Sequence, residues 1–381
     1  MVLAYNAGRR GPQTHVLIIG VGGYRHFRGH PRGPIITDRL AFGDPGQLTS
    51  PPVSALALRD SLMASDPQAW RAPLGTIDVL ISPHPDVPDV AGDGTVFTEP
   101  TMANIKRAFD AWWDRCDRDA GNVAIFYFCG HGIEGDEQYL LASDFGATRR
   151  RPWEGAIAID STIKGLWFNK AETQCVFVDA CREVTPATRS PFKNGAQALA
   201  WFDETGQPHV RYNLDLKAVA RDQRALAPPN NPAYFTAALV AALEGAVAEE
   251  DDDTGEWVVT TGGLATTFFD VLKAAAPHRI GTPQPRPGPQ TVLYRPPRPP
   301  TVALTVDCNP EDALDTARMA CVPQGGGQPY QRLIPERAPW SLPVAAGYYT
   351  VSASFGSDSQ YSDSELPVLA RPPARRRVLR V

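Results

Sequence analysis

Two short segments carry the side chains able to do covalent chemistry: Phe126 to Gly132 reads FYFCGHG, and Val176 to Glu183 reads VFVDACRE. Each begins as a run of β-branched and aromatic residues, the pattern of a buried strand, and each places a reactive group just past that run. The groups are His131 and Cys181. In an open parallel sheet, functional residues collect beyond the carboxyl ends of the strands, where the chain turns outward. A thiol and an imidazole delivered to neighbouring strand ends form a nucleophile with an acid/base partner, which is what acyl transfer by cysteine requires. Gly130 and Gly132 flank the histidine and leave it uncrowded.

Plainer readings compete with this one. A cysteine ending a buried strand is often a small core residue, and a lone histidine is often a satisfied loop residue. Cys129, His131, Cys175 and Cys181 do not have the paired spacing of zinc ligands, so no metal is expected there. Gly20-Val21-Gly22-Gly23 fails the dinucleotide pattern G-x-G-x-x-G because Arg25 fills the sixth position. The acidic run Glu249 to Asp253 lacks the spaced oxygens of a calcium loop and reads as a solvated turn. No cofactor is expected.

Four runs read as buried strands: His15 to Gly20, Ile77 to Ile81, Asn122 to Phe128 and Gln174 to Asp179. Helical patterns lie between them at Val53 to Ser65 and Pro100 to Arg115, the second with Ile105, Phe109, Trp112 and Trp113 at helical spacing. Pro232 to Gly245 and Gly263 to Ala275 read as two more helices around a WVVT strand. Strand and helix in alternation predict an α/β fold, a mostly parallel sheet flanked by helices on both faces. From Ala276 to Pro300 the chain becomes too proline-rich for helix and reads as a linker. Beyond it, alternating segments such as TVALTV and GYYTVSASF predict a small all-β module. The expected domains are residues 1–289 and 290–381.

The 381 residues are 43% hydrophobic and 21% charged, a globular composition, with 37 prolines as the one excess. A formal charge of -5 offers no broad positive field, so neither nucleic acid nor an anionic membrane is an expected partner. The apolar run Val16 to Ile19 is far shorter than a signal-peptide core or a span of ~20 residues. Six cysteines without a dense framework fit a reducing compartment. A cytoplasmic location is expected. Cys308 and Cys321 have no evident role.

The chain resembles the caspase clan, including metacaspases and bacterial caspase-like proteases. The resemblance rests on Asp179-Ala180-Cys181-Arg182 standing fifty positions after His131, against the Q-A-C-[RQG]-G signature with its histidine ~50 residues upstream. HVLIIGVGGY, LALRDSL, YLLASDF and FTAALVAAL follow in the family's order. The resemblance spans roughly residues 13–290 and omits the β module. It implies a cysteine endopeptidase in which Cys181 attacks the scissile carbonyl, His131 protonates the leaving amine, and the N–H groups of Gly132 and Cys181 hold the oxyanion. Asp179, where animal caspases carry glutamine, implies an S1 pocket for arginine, then lysine, with Asp60 in Arg59-Asp60-Ser61 as a second acidic pocket residue.

The family also implies protein substrates, latency, and a partner that lifts it, either an activating protease or a sensor protein. Glu183 to Asn231, with Arg182, Arg189 and Lys193, and the separate Arg149-Arg150-Arg151 supply candidate cleavage sites for a zymogen. Relatives among bacterial caspase-like proteins imply regulated cell death or anti-phage defence. The alternative is a catalytically silent scaffold whose β module recruits partners.

Overall fold

The computed structural model describes residues 3–8, 10–31, 42, 45–186, 195–201, 205–276 and 289–381. Its centre is a six-stranded sheet in the order Leu3–Asn6, Leu74–Ser82, Thr14–Val21, Val123–Gly130, Thr173–Ala180, Tyr212–Lys217. All but the first strand run parallel; Leu3–Asn6 is an antiparallel edge. The four expected strands are the four central ones, each one or more residues longer than its apolar run.

Alternation of side chains across the sheet decides which helix goes where. Val16, Ile18, Ile125, Tyr127 and Phe177 face one layer, formed by helices Ser50–Ala64, Tyr234–Ala241 and Thr261–Ala275. Leu17, Ile19, Phe126, Phe128 and Val176 face the other, formed by Met102–Cys116 and Ile159–Leu166. The result is an α/β sandwich. Met102–Cys116 buries Ile105, Phe109 and Trp112, and the Thr101 hydroxyl accepts from the Asn104 N–H at its start. That bond satisfies one of the four donors a helix leaves open. The first helix begins three residues ahead of its apolar pattern because Pro51 and Pro52 occupy its first turn, where proline costs no hydrogen bond. The helix at Tyr234 ends earlier than its pattern, in a π turn over Ala242–Ala246 where Gly245 takes φ +117°.

The acidic run forms the short strand Glu249–Glu250 and a turn paired with Trp257–Thr260. Asp251 is spent on that turn, accepting from the N–H groups of Asp253 and Thr254 and the Thr254 hydroxyl. Among the described residues no three His, Cys, Asp or Glu side chains lie close enough to share a metal ion, and no helix is long and apolar enough to cross a membrane.

The C-terminal module is two β-sheets face to face. One orders Trp340–Ala345, Thr301–Asn309 and Ala374–Arg380; the other orders Tyr330–Arg332, Arg318–Pro323, Gly347–Ser354 and Ser364–Ala370. Their inner faces bury Val302, Leu304, Val306, Met319, Val351 and Val368. Cys308 and Cys321 lie in that core as free thiols, which accounts for them as small apolar residues.

The expected boundary between 289 and 290 needs moving. Val292–Tyr294 pairs with Trp257–Thr260 of the α/β unit, Leu293 and Tyr294 sit in its core, and the backbone bonds Arg71 N–H to Leu293 and Arg295 N–H to Ala69 hold them there. The strand therefore belongs to the first unit, and the crossing falls in Pro296 to Pro300. Most of the proline-rich linker, 277–288, lies outside the described residues, as do Arg189 and Lys193.

Candidate active site

Strands Val123–Gly130 and Thr173–Ala180 are adjacent and in register, with Cys129 opposite Asp179 and Gly130 opposite Ala180. Identical lengths and parallel pairing bring His131 and Cys181, the next residues in each chain, to neighbouring tips. Both line one cavity of about 380 Å³, together with Gln47, Ser50, Cys129 and Asp179. One wall is the segment from Ala225 to Pro229.

His131 is held from several sides. Its Nε2 lies 2.8 Å from the Gly46 carbonyl, so Nε2 carries the proton and Nδ1 is left as the basic lone pair. Its backbone N–H donates to the Tyr24 hydroxyl at 2.7 Å, and its ring lies 4.8 Å from that of Tyr24 and 5.7 Å from Phe27. Burial lowers its pKa, while the Gly46 carbonyl and Glu183 act in the opposite direction. Gly132, next in sequence, presses against the backbone of Cys181. A Cβ there would fall 2.4 Å from the Cys181 carbonyl, so no other residue fits.

Cys181 is half-buried. Burial pushes its thiol up to about 11, helped by Glu183 and Asp179; the Ala225 N–H and Arg224 pull the other way. The thiol is therefore protonated at neutral pH. Among the described residues no hydrogen bond joins it to His131: the imidazole is engaged by Gly46 and the sulfur by Ala225. The backbone beside Cys181 is zipped to the same wall, with Arg182 N–H donating to Gln223 at 2.9 Å and Asp222 N–H to Arg182 at 2.8 Å.

Asp179 is 2% exposed, at the cavity floor. Its Oδ2 accepts from the Thr236 hydroxyl at 2.6 Å, and Thr236 in turn meets the Tyr127 hydroxyl at 2.6 Å. Its Oδ1 is buried without a hydrogen-bond partner of good geometry; the Cys129 thiol close by is only a weak donor. Burial raises its pKa to about 6, against the pull of Thr236 and Cys129.

Asp60 does not join it. It lies ten residues, about 15 Å at 1.5 Å per residue, along the helix from Ser50, the residue that meets the cavity, and its exposed carboxylate pairs with neighbouring Arg59 at 2.6 Å. The expected second acidic S1 residue is thus a surface side chain. Arg182 is likewise no cleavage site: its guanidinium makes a two-point bond with buried Glu134 at 2.9 and 3.1 Å, and its backbone is paired. Arg149, Arg150 and Arg151 lie exposed in a turn.

Sequence reasoning missed Gly46, Tyr24, Thr236 and Ala225. Tyr24 closes the GVGGY stretch and Thr236 opens FTAALVAAL, so both stood inside recognised segments without a role. Gly46 and Ala225 act through backbone atoms, and no side-chain pattern reports those.

The family model for the caspase domain matches residues 70–264, more than half of the chain. The uncharacterized protein y4kE of Sinorhizobium fredii (strain NBRC 101917 / NGR234) is 29% identical over 207 residues, 54% of this chain and 59% of that protein. The chain thus spans less than two thirds of that relative's length. The crystal structure of caspase-1 from Spodoptera frugiperda aligns with a TM-score of 0.38 at 12% identity, over 77% of this chain and 94% of the other. The matched range holds His131, Gly132, Asp179 and Cys181, and the chain belongs to the caspase-domain family of cysteine peptidases.

Proposed function

We propose that the protein is a cysteine endopeptidase acting through Cys181 and His131, cleaving after arginine and less readily after lysine. One observation carries this reading: the two groups stand at adjoining strand tips on one cavity whose floor holds a buried carboxylate with an unsatisfied oxygen.

In the resting arrangement the sulfur keeps its proton. A substrate entering the cavity replaces the Ala225 contact, and Nδ1 of His131, the lone pair left free by the Gly46 bond, takes the thiol proton as sulfur attacks the scissile carbonyl. The charge that develops on the carbonyl oxygen meets the N–H groups of Gly132 and Cys181. The imidazolium then gives its proton to the leaving amine, and water resolves the thioester by the same route in reverse. An arginine side chain reaching the floor supplies the donors that Asp179 Oδ1 lacks, while an aspartate there would meet a like charge.

The protonated thiol and the paired wall segment fit a latent form. Cleavage in the exposed Arg149-Arg150-Arg151 turn, by the enzyme itself, by another protease, or after engagement by a sensor protein, would release it. All six cysteines are free, in keeping with a reducing cytoplasm. Protein substrates in regulated cell death or anti-phage defence are the setting its family resemblance favours.

Purified protein, before and after limited proteolysis, should hydrolyse P1-Arg peptides faster than P1-Lys and leave P1-Asp peptides intact, with all turnover lost in Cys181→Ala. Equal turnover of P1-Asp would overturn the pocket assignment. Binding of protein partners by intact protein without any turnover would favour the silent scaffold.

A further inference from the structure

Gln47 lies at the rim of the cavity and touches neither catalytic side chain directly, yet it ties together the segments that do. Its Oε1 accepts the Tyr24 N–H at 2.7 Å. Its Nε2 donates to the carbonyls of Tyr24 at 3.0 Å, Arg28 at 3.0 Å and Phe27 at 3.4 Å. Because one end must face an N–H and the other three carbonyls, the amide has a single orientation. On either side of Gln47, the Gly46 carbonyl receives the His131 ring and the Leu48 N–H donates to Gly22 at 2.9 Å.

The loop that Gln47 grips is the one carrying Tyr24 and Phe27. Tyr24 accepts the His131 N–H, and both rings pack against the imidazole. The contacts that fix His131 therefore come from two segments, Tyr24 to Arg28 and Gly46 to Leu48, and the Gln47 amide is the clasp between them. A neutral imidazole can carry its proton on either nitrogen, and the choice is set by the hydrogen bond made at the other end of the ring. Here that bond is the Gly46 carbonyl, one residue from the clasp.

We propose that Gln47 is a positioning residue: by clasping these two segments it keeps the Gly46 carbonyl on Nε2 of His131, and so holds the histidine in the tautomer whose Nδ1 is free to take a proton. What that proton transfer accomplishes rests on the peptidase reading above; the tautomer does not.

Gln47→Leu removes the clasp at similar size. Gln47→Glu keeps an acceptor for Tyr24 but turns a carboxylate toward three carbonyls. On a P1-Arg peptide both variants should lose about 10- to 100-fold in kcat, the scale of a catalytic group displaced by about 1 Å, with KM within about threefold. In Gln47→Leu the limb of the kcat/KM profile that reports His131 should move to lower pH, since the carbonyl favouring the imidazolium is no longer held. Nitrogen-15 NMR of histidine-labelled protein, with His131→Ala to assign the signal, should show Nε2–H alone in the wild type and a mixture in both variants. Should either fail to fold, Gln47→Asn, one methylene too short to span the loops, should show the same changes at smaller size.

A kcat within twofold together with an unchanged tautomer overturns the proposal, as does a change confined to KM, which would make Gln47 a cavity wall only. The two readings fail separately. Wild-type protein inactive on every peptide, with a tautomer that Gln47→Leu scrambles, removes the peptidase and leaves the clasp; active wild type indifferent to Gln47→Leu does the reverse.

Discussion

The α/β unit and the C-terminal sandwich both bury cysteines, and they treat them in opposite ways. In the sandwich, Cys308 and Cys321 stand within paired strands, enclosed among valines and leucines of the core. In the α/β unit, Cys181 stands one residue past the end of a strand buried along its whole length, in a cavity that also holds a histidine and a buried carboxylate. The difference is one of position in a sheet. In the sandwich core a side chain is enclosed by its neighbours and fills space; past the last paired residue of its strand, Cys181 leaves the core and meets the cavity. Placement decides whether a thiol is enclosed in a core or opens on a cavity, and residue type alone does not predict it.

The sharpest way to break that contrast is at the thiols. Cys181→Ala should cut peptide turnover by about 10⁴-fold or more, to background, with the melting temperature little changed. Cys321→Ala should leave kcat and KM unaltered while costing about 1 to 2 kcal/mol of stability by denaturant titration, since it leaves a small void in the sandwich core. A drop in activity from Cys321→Ala would show that the sandwich works on the site directly.

Gly132→Ala comes next. Its new methyl would collide with the Cys181 carbonyl and push the Gly132 N–H from its place, so kcat should fall by about 10² to 10³. Normal turnover in this variant would mean that the glycine's N–H is not a donor to the oxyanion.

Asp179→Asn should cost P1-Arg substrates about 10- to 100-fold in kcat/KM, as expected of a lost charged hydrogen bond, and should shrink the gap between P1-Arg and P1-Gln. It should also raise the melting temperature above pH 6. A carboxyl of folded pKa about 6 loses its proton later than in the unfolded chain, so stability falls as pH rises from the unfolded value toward 6 and stays reduced beyond it. Asparagine removes that loss, on the order of 3 kcal/mol. In the wild type, the same titration should make KM for arginyl peptides climb as pH drops below about 6; a flat KM from pH 5 to 8 would say that the carboxylate does not meet the substrate.

The strands and helices were legible because each is written in side-chain periodicity, which burial enforces. The placing of His131 and Cys181 at neighbouring strand tips was legible too, through the spacing of two short motifs. The errors have specific causes. Asp60 has only the analogy of its motif to place it in the pocket, and helix geometry carries it far from the cavity. Val292–Tyr294 is too short to show a period, so pairing with Trp257–Thr260 is visible only in three dimensions. Gly46 and Ala225 contribute a carbonyl and an N–H, groups that every residue possesses, and Gln47 contributes an amide whose value depends on which loops happen to flank it.

Burial that keeps the Cys181 sulfur protonated has a chemical corollary for anyone handling the protein. Thiolate, not thiol, is what peroxides and haloacetamides consume, so a site kept neutral in this way ages slowly in air and resists casual alkylation. Electrophilic probes should mark this protein strongly only when they carry a basic residue that enters the cavity first.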